Sequence, residues 1–437
     1  GAAGSGGRPA ARAAARDGGG DDPRGARGPA AAPDAGLARC RGTAPERRRP
    51  CYESVFARPA RAGDVESAMA ALASAAAADR DVAREGHVYA HAIGKLAYRA
   101  RPDVAATFGR CDESFQSGCY HGVIQAHFEA HPHVDAAALE TLCGPYRGAA
   151  DRWLLFQCVH GLGHGLTALH AHDLPRALRD CDLLADDWDR ESCYGGAFME
   201  NVVNAMGPHH GTGDDAGDDH GSAGHGTGAV PGGAGAGSGG AARHDGAPAA
   251  AGTAAPAFEA LDPADLQYPC SIVDDRYLAA CYGMQTSVML FLNGGDLEGA
   301  ARACNEAPAA MRPVCVQSLG RDISSYTLQD PAESIRFCGF AAEAWRPWCY
   351  VGLAKNFVDL TATTDAAFAF CRMVPEEPGR LKCHEAVGEE IGILAADAAE
   401  RERMCAASDP RYLPACRFGA RLVPTPPPGL PAAERGA

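Results

Sequence analysis

From about residue 62 onward, apolar residues recur at three- and four-residue spacing in short runs divided by polar breaks, the period of amphipathic helices rather than strands. One kind of run ends near a cysteine, as in Leu297, Ala300, Ala301 and Cys304, or Ile335 and Cys338. A second kind starts at a cysteine: CYHGVIQAHFEAH from Cys119, CVHGLGHGLTALH from Cys158, CYGGAFMENVVNA from Cys193, CYGMQTSVMLFLN from Cys281, and matching segments from Cys315, Cys349, Cys383 and Cys416. Each is followed by a polar break, often Asp or Pro (Asp296, Pro331, Asp365, Asp397), that can cap a new helix. The unit is therefore helix A, loop, helix B, recurring about every 34 residues. A cysteine-free copy over about 62–99 precedes the others, with helix A in DVESAMAALASAAAA and helix B in HVYAHAIGKLAYRA.

The cysteines fall into neighbouring pairs with none left over: Cys40/Cys51, Cys111/Cys119, Cys143/Cys158, Cys181/Cys193, Cys270/Cys281, Cys304/Cys315, Cys338/Cys349, Cys371/Cys383 and Cys405/Cys416. An even count at regular spacing predicts a disulfide framework, formed in an oxidising compartment. Zinc knuckles need C-x2-C and a c-type haem needs C-x-x-C-H, and neither occurs. A bridge from the end of A to the start of B closes each hairpin, worth roughly 2 to 3 kcal/mol by loop entropy. The loop usually carries Arg three residues before the second cysteine (Arg190, Arg312, Arg346, Arg380), with Arg276 and Arg411 two residues further back.

One hairpin cannot bury its own apolar face, so stacked copies must share a core. The fold expected is all-α, a right-handed α-solenoid of about nine helix-hairpin repeats, eight with an internal disulfide. By period and cysteine placement, residues 62–422 resemble solenoids of the tetratricopeptide and Sel1-like kind, particularly Sel1-like proteins with a disulfide in each repeat. Around this array the expected organisation is a disordered Ala/Gly/Arg-rich leader (1–36), a disulfide cap segment (37–61), His-rich N-terminal repeats (62–206), a disordered Gly/His/Asp insertion (207–257), C-terminal disulfide repeats (258–422) and a Pro-rich tail (423–437). The insertion mixes His209, His210, His220 and His225 with Asp214, Asp215, Asp218 and Asp219, which suits either loose metal buffering or a hydrophilic linker.

Across its 437 residues the chain is acidic, with a formal charge of −15, and so lacks the basic face of a nucleic-acid binder. No run reaches the roughly 18 to 20 apolar residues of a membrane span. The first residue is Gly1, and a signal peptide or anchor upstream is expected. The expected location is extracytoplasmic: secreted, periplasmic or cell-surface.

Histidine carries the candidate chemistry. Ten of the sixteen lie between His87 and His172, while repeats of the same design elsewhere use Gly195, Gly283, Gln317, Val351 and Phe418 at the equivalent position. That position, two after the second cysteine, holds His121 and His160, and His91 in the cysteine-free unit. Adjacent B helices should set these in a row, and H-x3-H spacing adds His87 beside His91 and His164 beside His160. The candidate metal ligands are therefore His87, His91, His121, His160 and His164. Gln125 and Glu200, about a turn further along, could add oxygen ligands, and Glu200 is the candidate general base. Imidazole ligands suit a transition metal, Cu or Zn first, Fe or Ni next. A buried histidine network and a metal-free acid/base or pH-sensing cluster are the alternatives.

Glycines within Gly161-Leu-Gly163-His164-Gly165 each cost roughly 0.8 to 1 kcal/mol in a helix relative to Ala. Glycines such as Gly122, Gly195, Gly283 and Gly352 belong to the repeat and predict tight helix contact. The extra Gly163 and Gly165 suggest close approach of a ligand. His127, His131, His133, His170 and His172 are expected at the surface, and His384, taken to share the repeat position, is expected to be structural. A metal-bearing protein of this kind could be an oxidoreductase or a hydrolase. The different reading is a metal-free scaffold for peptide or protein partners, with Arg321, Lys355, Asn356, Glu389 and Glu390 exposed along its C-terminal repeats and Trp345 and Trp348 as anchors.

Overall fold

The computed structural model describes residues 33–148, 152–206 and 258–432. All of its regular elements are helices among these residues. A cap of α1 (Pro33–Arg41) and α2 (Pro45–Arg61) is followed by the cysteine-free unit, α3 (Val65–Ala78), short α4 (Arg80–Arg84) and α5 (Gly86–Ala100). Hairpins follow as α6 (Val104–Phe108) with α7 (Gly118–Ala130), α8 (Ala136–Cys143) with α9 (Arg152–Leu169), and α10 (Leu174–Cys181) with α11 (Asp187–Ala205). Then come α12 (Leu278–Leu292), α13 (Leu297–Ala303) with α14 (Arg312–Tyr326), α15 (Pro331–Cys338) with α16 (Arg346–Asp359), α17 (Asp365–Met373) with α18 (Glu377–Leu394), and α19 (Ala398–Cys405) with α20 (Leu413–Gly419). Helix α1 begins inside the segment expected as leader; the rest of that leader and the insertion lie outside the described residues.

The fold is thus the all-α repeat array expected, with one unit altered. Before α12 no helix A forms; residues 258–274 run through turns instead. Pro263 and Pro269 lack the amide a helix needs, and the Asp262 and Asp265 carboxylates accept from the amides of Ala264 and Gln267, the local bonds that compete with helix.

All nine bridges join nearest-neighbour cysteines, with Cα–Cα distances of 5.5–5.8 Å. Cys51 departs from the common arrangement. It pairs with Cys40 as expected, but it is partly exposed, whereas the second cysteine of every other bridge is buried. The cause is its place in the cap. Cys51 lies on α2, which packs on α1, α3 and α5 and has a B helix on one side only, so the Cys51 side of the bridge borders a smaller cluster separate from the main core. The Cys40–Cys51 bridge therefore fastens the two cap helices to each other rather than closing a repeat.

The recurrent loop arginine has a defined task. Arg190, Arg312 and Arg380 each donate to the carbonyl three residues after the first cysteine, at Leu184, Ala307 and Val374 respectively, and so tie the loop to helix B. Asp296, Asp330 and Asp397 cap their helices by accepting from the amides of Gly299, Glu333 and Glu400. Two expected breaks shift by one: Asp330 rather than Pro331 is the cap, and Asp365 is the first helical residue after Thr364.

B helices meet through glycine in alternate pairs. A Cβ at Gly94 of α5 would strike the Cys119 carbonyl of α7, and one at Gly122 of α7 would strike the His91 carbonyl of α5. The same reciprocal contact joins α9 to α11 (Gly163 on Cys193, Gly196 on His160), α14 to α16 (Gly320 on Cys349, Gly352 on Gln317) and α18 to α20 (Gly388 on Cys416, Gly419 on Glu385). The first helix of each pair has glycine five after the cysteine position and the second has it three after, so the packing unit is two repeats long. Helix α12 has Met284 and Thr286 at those places and belongs to no pair. The array curls until α18 touches α9, and one core of buried side chains runs from Tyr98 to Ala420.

Two substitutions separate the contact from general helix propensity. Gly320→Ala must part α14 from α16 and is expected to destabilise by at least about 2 kcal/mol, whereas Gly283→Ala on α12 meets open space and should stabilise by up to about 1 kcal/mol. Equal effects of the two in denaturant melts would contradict this packing.

Candidate metal centre

The first glycine pair sets the site. Because α5 and α7 touch at Gly94 and Gly122, the His91 and His121 rings come within 5.4 Å, centroid to centroid. On α9, Gly161 and Gly165 face Ile124 and Phe128 of α7. This close approach stacks His164 on His121 at 4.7 Å. His87, one turn before His91, closes the group with its ring 4.6 Å away. His87, His91, His121 and His164 each place one ring nitrogen within 4.8 Å of all the others. His91, His121 and His164 are 1%, 3% and 0% exposed, while His87 is partly exposed.

Surrounding acceptors determine which nitrogens face inward. His87 Nδ1–H donates to the Phe115 carbonyl at 2.8 Å, His121 Nε2–H to Gln157 Oε1 at 3.1 Å, and His164 Nδ1–H to Glu200 Oε2 at 2.8 Å. The lone pairs then lie on His87 Nε2, His121 Nδ1 and His164 Nε2. His91 Nε2 sits 3.1 Å from His87 Nε2 and donates to it; a cation there takes the place of that hydrogen. Anchoring the outer ring nitrogen by a carboxylate or carbonyl is the usual support of a metal-ligating histidine. A tetrahedron with bonds of about 2.1 Å has edges near 3.4 Å, so small ring movements draw the donors into range.

Burial favours the neutral form of His87 and His121, the form a metal requires. It pushes His121 well below the ordinary histidine value, with further lowering from His164, His160 and His87. His87 is also lowered by burial, partly offset by its bond to Phe115 and the field of Glu200.

Of the five sequence-predicted ligands, the structure gathers four. His160 lies behind them, its ring 5.0 Å from His121 and 5.2 Å from His164, against Phe156 and bonded to the Ser192 backbone. Glu200 is buried as the acceptor of His164 rather than poised toward a substrate. Gln125 is buried, and neither of its amide atoms has a hydrogen-bond partner. Gly163 and Gly165 do not mark a ligand, since one meets the Cys193 carbonyl and the other Phe128. Their role is to bring α9 close enough for His164 to join.

Sequence reasoning missed Phe115 and Gln157. Gln157 left a signal as a polar residue on the buried face just before Cys158; a backbone carbonyl such as that of Phe115 leaves none.

The other histidines stand apart. His131 and His133 are exposed, while His127 hydrogen-bonds the Tyr98 hydroxyl and His170 bonds Asp180. His384 follows Cys383 directly, one residue short of the expected frame, and is buried against Tyr412 with Ser408 as its partner. Of the C-terminal polar row only Glu389 is exposed: Asn356 and Glu390 are buried, the partly buried Lys355 pairs with Glu389 and Glu390, and the partly buried Arg321 pairs with Asp322. Trp348 is buried and Trp345 packs on the core.

Comparison with family models, curated proteins and solved structures gives no match, so the functional reading rests on this geometry.

His384 allows a test of burial away from the cluster. Burial lowers its pKa to about 4, so the folded protein refuses a proton that the unfolded chain accepts. The stability contributed is complete above the unfolded value of about 6.5 and is lost as pH falls toward 4, roughly 3 kcal/mol for such a shift. With chelator present, His384→Gln should lose less stability than the parent between pH 6.5 and 4. Parallel losses would contradict the assignment.

Proposed function

We propose that this chain is an extracytoplasmic metal-binding protein whose N-terminal repeats hold one divalent transition ion on His87, His91, His121 and His164. The observation that carries the reading is the set of outer acceptors, Phe115, Gln157 and Glu200, which turn the lone pairs of three rings inward. Nine disulfides support an oxidising compartment. No described helix is long and apolar enough to cross a membrane. With imidazole ligands and every described cysteine bridged, zinc or copper fits best, and iron is the next choice. Glu200 contributes negative charge beside the cation and holds His164 in its tautomer.

Four protein ligands favour retention of the ion. Hydrolytic or oxidative chemistry needs an open coordination position, and the side of the cluster that protein does not seal is that of His87. The metal-free scaffold reading is weakened because Asn356, Glu390 and Trp348 are buried and Arg321 and Lys355 are engaged in ion pairs, which leaves only Glu389 of the polar row exposed.

Protein dialysed against a weak chelator should retain about one zinc or copper per chain by mass spectrometry. Combining His121→Ala with His164→Ala should abolish that retention with all nine bridges intact, and Glu200→Gln should weaken affinity about 10- to 100-fold. Undiminished binding in the double variant would contradict the site.

A further inference from the structure

Beside the histidine cluster lies a cavity of about 1140 Å³. His87, Ser114, Phe115 and Gln116 form one wall, and the C-terminal ends of α12, α14 and α16 with part of α17 form the other. The second wall is unusually apolar for an accessible surface. Phe291, Tyr326 and Met373 are 47%, 49% and 49% exposed, and all three face this one space, backed by Leu290, Phe357 and Phe370. Large apolar side chains gathered at an open concavity mark a binding surface, and the volume is that of a small-molecule site.

The histidine wall has its own peculiarity. Phe115, Gln116 and Ser117 hold successive φ values of 55°, 54° and 61°, a left-handed turn that L-residues seldom adopt. The Cys111–Cys119 bridge spans 8 residues, where the others span 11 to 15. The short span confines the loop, and the resulting turn presents the Phe115 carbonyl to His87 Nδ1. The residue that orients His87 thus lines the same cavity as His87, the partly exposed member of the quartet.

We propose that the cavity binds a neutral, mainly apolar small molecule whose polar end lies at His87, making it the substrate or ligand pocket of the histidine centre. The occupant's class follows from the walls: aromatic and aliphatic side chains for its body, and Ser114 and Gln116, beside His87, to meet one polar group. Asp322 on the far wall is already engaged by Thr286, Ser287 and Arg321, and so offers no counter-charge to a cationic ligand. The link to the ion rests on the metal-binding reading; the pocket itself does not.

The test is titration of the full chain with N-phenyl-1-naphthylamine, a neutral apolar fluorophore, before and after loading with one equivalent of Co²⁺. Saturable binding at a single site is expected, weakened about tenfold or more by Phe291→Asp and by Met373→Asp. Both replace exposed side chains, so folding and cobalt content should be unchanged. The probe should also shift the cobalt d–d bands, since it lies against His87. Lack of saturable binding, or binding indifferent to both variants, would overturn the pocket. Binding that leaves the cobalt bands unmoved would overturn its link to the centre. Absence of a nitrogen-ligand cobalt spectrum with probe binding intact would overturn the metal reading instead and leave the pocket standing.

Discussion

Among the described residues, paired B helices meet at a glycine set against a backbone carbonyl, a contact made twice in each of the four pairs. At such a contact there is no room for even a methyl group, so the two backbones lock in one register. Side chains beside the contact inherit that precision. His91 supplies the carbonyl that Gly122 meets, and His121 immediately precedes Gly122, so their rings converge. Disulfides hold each hairpin together, and in the cap the Cys40–Cys51 bridge holds α1 to α2; the glycine contacts decide how hairpins sit on one another.

The candidate centre is built outward from that register. Imidazoles from α5, α7 and α9 meet inside the stack, and each of three carries an outer hydrogen bond that selects its tautomer. Because those bonds run to α9, α11 and the loop before α7, the ligand atoms are positioned by groups that do not themselves ligate. Burial works in the same direction at His121 and His87 by favouring their neutral form. The apolar cavity meets this assembly at His87, the side where the cluster reaches solvent. A sealed set of ligands with one accessible edge suits a centre that keeps its ion and admits a second molecule from one direction.

Much of this was legible in the residues. Nearest-neighbour cysteine pairing follows from spacing, and helix B follows from the apolar period after each second cysteine. Spacing says nothing of burial, however, and the exposure of Cys51 follows from its place at the end of the stack. Four of the five in-phase histidines do meet. His160 does not join them because the α7–α9 crossing differs from the α5–α7 crossing: Gly161 and Gly165 slide α9 against Ile124 and Phe128, so the residue opposite His121 is His164, one turn on. Period alone treats all repeat junctions as alike and cannot see that difference. The alternation of glycine between five and three residues after the cysteine position was present in the sequence and carries the two-repeat packing unit. It was obscured by reading glycine as a single repeat feature. The missing helix before α12 had a local cause in Pro263, Pro269 and two aspartate turns.

The account depends on imidazoles from three helices meeting at one ion, and X-ray absorption at the metal edge reads that directly. Protein carrying one equivalent of zinc should show a first shell of about four nitrogen scatterers near 2.0 to 2.1 Å with the outer-shell pattern of imidazole. A shell dominated by oxygen, or one with fewer than three imidazoles, would contradict it.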